Sequence, residues 1–150
     1  MKEASFIQRN WSRLLSFVLF CLYIYVVCKV CFMSQAEIVS KAGKWLELFK
    51  KISGHDKIVH FFLFFPYPAL AYLCLRPYNT SFIDKMIFLF VVMLLGASMA
   101  FNTECAQGIY FPSRSYDIGD FYADMLGMGT CCIFVLAAIV SHHVKHKHKK

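Results

Sequence analysis

This chain has 150 residues, of which 59% are hydrophobic and only 17% charged, and it includes 16 Phe. Small soluble domains run at roughly 45–50% apolar, so the excess points to an integral membrane protein rather than to one buried core. The formal net charge of +7 comes from the two ends and one loop. No interleaving of basic and aromatic residues marks a nucleic-acid surface, and none is expected as a partner.

Residues 1–13 are a basic lead-in carrying Lys2, Arg9 and Arg13. Behind them, residues 14–32 form the first of four apolar runs, the others being 58–75, 83–101 and 120–140. Each meets the roughly 17–25 residues that a helix needs to cross the hydrocarbon. The expected fold is therefore all-α, a single membrane domain of four transmembrane helices. The first run resembles a secretory signal, with the small residues Ser34 and Ala36 near a cleavage position. Its apolar stretch exceeds the roughly 7–15 residues of a signal core, so it is expected to remain as a span.

Between the first two spans, residues 34–53 show a capping box at Ser34 and Glu37 and a stop at Ser53-Gly54. Ile38, Ala42, Trp45, Phe49 and Ile52 recur at helical spacing, with Lys41, Lys44, Lys50 and Lys51 on other faces. This pattern predicts an amphipathic helix at the membrane surface. Pro66 and Pro68 predict a kink in the second span. Gly96, Ala97 and Ser98 in the third span, with Gly127 and Gly129 in the fourth, predict close packing of those two. The chain closes on the basic tail at 141–150, whose histidines and lysines read as a patch for anionic lipid rather than a metal site.

Of the seven Cys, Cys21, Cys28, Cys74, Cys131 and Cys132 lie in apolar runs and read as small hydrophobes. No metal and no cofactor is assigned from the sequence. Orientation follows from Lys and Arg near the span ends. With the N-terminus inside, the inner side carries Lys2, Arg9, Arg13, Arg76, Lys85 and four tail lysines, nine in all. The outer side carries six, Lys41, Lys44, Lys50, Lys51, Lys57 and Arg114. Both termini are expected in the cytoplasm.

With that topology, the second span begins, the third ends and the fourth begins at one membrane face. Asp56, Lys57 and His60, then Glu104 and Gln107, then Asp117, Asp120 and Asp124 occupy those three places, with Arg114 in the connecting loop. Asp56 and His60 are four apart and Glu104 and Gln107 three apart, so each pair shares a helix face. Asp117, Asp120, Asp124 and Gly127 descend one stripe of the fourth span. Ionisable groups in spans are costly, which makes this polar pocket the candidate site. His60, Glu104 and Asp120 are the candidates for proton handling, and Asp56, Lys57, Gln107, Arg114, Asp117 and Asp124 for binding. Five carboxylates against two fixed cations leave surplus negative charge. At least one acid is then protonated, paired with His60 or bound to a cation.

At these residues the chain resembles the VanZ-like family of small bacterial membrane proteins. The likeness lies in DKIVHFFLF from Asp56, TECAQGIYFPSR from Thr103, and DIGDFYADMLGMGT from Asp117, over roughly half the chain. It departs at Asp124, where that family usually has asparagine, and at Ser113, where glycine commonly precedes the arginine. The resemblance implies a multi-span protein of the bacterial cytoplasmic membrane with a role in the cell envelope, because the founding member is linked to teicoplanin resistance. Membrane lipids and a lipid-linked or amphiphilic envelope molecule are the expected partners. The alternative is a non-enzymatic membrane partner or scaffold whose polar cluster is an ion-pair lock.

Overall fold

The computed structural model describes residues 2–32, 55–75, 81–110 and 117–147. All five of its elements are helices: α1 (Lys2–Cys31), α2 (His55–Phe64), α3 (Tyr67–Leu75), α4 (Phe82–Tyr110) and α5 (Ile118–Lys147). The interfacial helix expected at 34–53 and the loop bearing Arg114 lie outside the described residues. Four helical stretches are long and apolar enough to cross a membrane, with α2 and α3 together making the second. The fold is an all-α bundle of a multi-pass membrane protein.

Its surface is inside-out relative to a soluble protein. Phe90, Leu94, Leu95, Ile133 and Phe134 are exposed, while Glu104, Asp120 and Asp124 are buried. Lipid accounts for the apolar exterior, and every charge on the interior needs a specific reason.

Each helix turns one stripe inward. On α1 the stripe is Phe20, Tyr23, Ile24, Val27 and Cys31; on α4 it is Leu89, Val92, Gly96, Ala100, Thr103, Glu104 and Gln107. These positions recur every three or four residues, the spacing of one helix face. Over most of its length this interior is apolar, built on Val27, Phe64, Tyr67, Ala71, Val92, Ala100 and Met128. At one end of α2, α4 and α5 the same stripe changes character, and His60, Glu104, Asp120 and Asp124 take the inward positions. α4 continues as helix nine residues beyond the apolar limit read at Phe101, so Glu104 and Gln107 share a helix face as their spacing predicts.

The second span breaks at Phe65 and Pro66, between α2 and α3. Prolines at 66 and 68 cannot donate to the carbonyls four residues back, so the helix cannot run straight through. Tyr23 of α1 crosses to this break and donates its hydroxyl to the Leu63 carbonyl at 2.7 Å. Pro68 then sits in the first turn of α3, where its missing N–H costs nothing.

The small residues act differently from their expected pairing. Gly96 does bring α4 onto α5, since an added Cβ would lie 2.6 Å from Met128 Sδ, but it would also meet Tyr67 of α3. Gly127 faces α2 instead of α4, and a Cβ there would collide with the Phe61 carbonyl. A Cβ added at Gly129 would meet nothing within 4 Å among the described residues, so its small size serves no close approach there. α5 thus leans on the second span at the level of the cluster, and that approach is what brings its acids to His60.

Candidate functional site

Four buried ionisable side chains meet between α2, α4 and α5. His60 stands one turn into α2, and its Nδ1 lies 3.0 Å from Asp124 Oδ1 and 3.7 Å from Glu104 Oε1. On the other side of the ring, Nε2 lies 3.7 Å from Asp120 Oδ2. One imidazole therefore faces three carboxylates from two other helices. The stripe expected on the fourth span is present, with Asp117 exposed at the top and Asp120, Asp124 and Gly127 buried below it.

Lys57 closes the cluster on its outer side. Its ammonium donates to Asp117 Oδ2 at 2.9 Å and to Asp120 Oδ1 at 3.2 Å, while the side chain stays exposed. Gly119 leaves room for this crossing, since a Cβ at that position would stand 2.7 Å from both Lys57 Cε and Nζ and the flexible lysine would have to shift. Asp117 has a second task as the N-cap of α5, where its Oδ1 accepts the Gly119 N–H at 2.7 Å. The Lys57 hydrogen bond, followed by that from Gly119, holds the Asp117 carboxyl below the usual aspartate range.

Gln107 lies about one turn beyond Glu104 and reaches a different helix. Its Nε2 donates to the Cys31 carbonyl at 3.0 Å, at the C-terminal end of α1. This ties α1 to the level of the cluster, a link with no sign in the motifs. Tyr23 and Gly119 were likewise missed. Gly119 could have been suspected from its place between two aspartates, but Tyr23 lies in an apolar run that reads only as lipid-facing. Asp56 is half-buried, and together with His60 and Asp120 it offers ligand atoms within 4.8 Å of one another.

The other polar groups of the spans show how such residues are usually accommodated. Thr103 donates to the Ala100 carbonyl at 2.8 Å, Thr130 to Leu126 at 2.7 Å, and Asn102 to Ser98 at 2.7 Å. Each closes on its own helix, the cheapest solution in a bilayer. The cluster is not closed in this way. Glu104 Oε1 and Asp124 Oδ2 are buried and have no hydrogen-bond partner among the described residues. Chemically, the arrangement offers an imidazole for proton exchange, two under-satisfied carboxylate oxygens, and a cation at the rim. No family model, no curated protein and no solved structure matches this chain.

Proposed function

We propose that this chain is a VanZ-like protein of the bacterial cytoplasmic membrane, with both termini in the cytoplasm and the polar cluster opening to the outer face. In this reading the cluster handles an amphiphilic envelope molecule. His60, Glu104 and Asp120 exchange protons, while Lys57 and Arg114 hold the molecule's anionic portion, a role suited to the fixed charge of lysine and arginine. The biological outcome is lowered susceptibility to a lipophilic glycopeptide such as teicoplanin.

One observation carries this reading, the pair of buried carboxylate oxygens on Glu104 and Asp124 that lack a hydrogen-bond partner among the described residues. An unmade buried hydrogen bond costs about 1–3 kcal/mol, and more for a charged group. A purely structural cluster gains nothing from leaving two open. The rival reading, a scaffold whose acids only lock the helices, draws on the short His60–Asp124 contact at 3.0 Å and on Lys57 bridging two aspartates.

Single alanine substitutions at His60, Glu104, Arg114 and Asp120 separate the two, expressed in a glycopeptide-sensitive bacterium. Under the proposal each variant accumulates in the membrane as a folded protein but no longer lowers glycopeptide susceptibility. Loss of folded protein at every position would support the lock instead. Native mass spectrometry of the wild type should show a co-purified amphiphile whose occupancy falls in the same variants.

A further inference from the structure

The geometry points to a divalent transition-metal site in the cluster, with His60 Nδ1, Glu104 and Asp124 as ligands and Asp120 orienting the imidazole from the opposite nitrogen. One ligand atom from each of the three residues lies within 4.8 Å of the others. Nitrogen and oxygen ligands bind zinc at about 2.0–2.2 Å, so tetrahedral ligand atoms stand about 3.4 Å apart. The separations about Nδ1, 3.0 Å to Asp124 Oδ1 and 3.7 Å to Glu104 Oε1, bracket that value.

Burial and bonding supply the second argument. Glu104 is 1% exposed and Asp124 0% exposed, and Glu104 Oε1 and Asp124 Oδ2 have no hydrogen-bond partner among the described residues. Protonated His60 does not resolve this, because Nδ1 carries a single N–H and faces both acids. A dication on that side of the ring would bind Glu104 Oε1 and a carboxylate oxygen of Asp124 and offset the two negative charges. The imidazole then bonds metal through Nδ1 and directs its Nε2–H toward Asp120 Oδ2, 3.7 Å away. Carboxylates commonly support metal-bound histidine in this way.

A second grouping, Asp56, His60 and Asp120, also has ligand-like spacing. It is disfavoured because the Lys57 ammonium stands 3.2 Å from Asp120 Oδ1 and repels a cation. One imidazole with two carboxylates suits Zn²⁺, Mn²⁺ or Fe²⁺ better than Mg²⁺ or Ca²⁺, which take oxygen ligands. Three protein ligands also leave a coordination position for an oxygen of a bound molecule.

The inference rests on reading the cluster as a working site and gives His60 and Glu104 ligand roles in place of proton exchange; its test reads metal and not the envelope phenotype, so the two can fail separately. The tail histidines His142, His143, His146 and His148 are first replaced by asparagine in the full-length chain, which is purified in detergent and titrated with Co²⁺. The expected result is one equivalent bound with visible d–d bands, no sulfur-to-cobalt charge transfer, and displacement by Zn²⁺. Glu104→Gln and Asp124→Asn should each weaken Co²⁺ binding at least tenfold while keeping helical circular dichroism and monodisperse elution. Asp84→Asn, at the other end of α4, should leave it unchanged. Absence of the bands, a thiolate signature, or unchanged affinity in both substituted chains would overturn the site. Should either substitution prevent folding, the parent chain's stoichiometry and spectrum decide between the same two results.

Discussion

Asp117 joins two kinds of stabilisation in one side chain, a helix cap through Oδ1 and an ion pair with Lys57 through Oδ2. Substitution can separate them. Asparagine caps about as well as aspartate, whereas replacing such a cap by alanine costs about 1 kcal/mol. Asp117→Ala should therefore lower the thermal midpoint in detergent, and Asp117→Asn should lower it less. The pH dependence isolates the charge. A carboxyl held below its ordinary value stabilises the fold above that value, about 3.9, and the contribution is lost as pH falls through the lowered folded value. The gap between wild type and Asp117→Asn should be fully present above about pH 5 and close on further acidification. Being exposed, the pair gives a small effect, and high salt should reduce it.

Between helices, contacts at single residues decide how closely the spans approach. Gly127 lets α5 lie against the α2 backbone at Phe61, and the side chain of any other residue would have to push the two apart. Gly127→Ala should cost about 1–3 kcal/mol, as overpacking does, and should also weaken the contacts among His60, Asp120 and Asp124. Gly129→Ala, two residues on and free of neighbours, is the internal control and should be near neutral in the same thermal assay. Tyr23→Phe tests the other interhelical tie. Loss of the hydroxyl that serves the Leu63 carbonyl should cost about 0.5–1.5 kcal/mol, seen as a lower midpoint with unchanged helix content.

For the molecule as a whole, an apolar exterior and an acidic interior confined to one end define two questions, which end faces outward and what the acids hold. The proposed placement of the cluster at the outer face rests on lysine and arginine counts. A cysteine placed at Ser115, in a chain whose seven native cysteines are replaced, should then react with an impermeant maleimide added to intact cells; protection there with labelling only after lysis would reverse the orientation. Four spans were legible in the sequence because lipid demands long apolar runs, and that demand is written residue by residue. The polar stripe on the fourth span was legible too, because helical spacing alone puts Asp120, Asp124 and Gly127 on one face. Tertiary structure decided which neighbour each stripe meets. Gly127 went to Phe61 of the second span, Gln107 to the end of α1, and His60 to a position shared by acids from two other helices. Such pairings depend on how closely helices pack and how they are turned about their axes, and neither is encoded by any one segment.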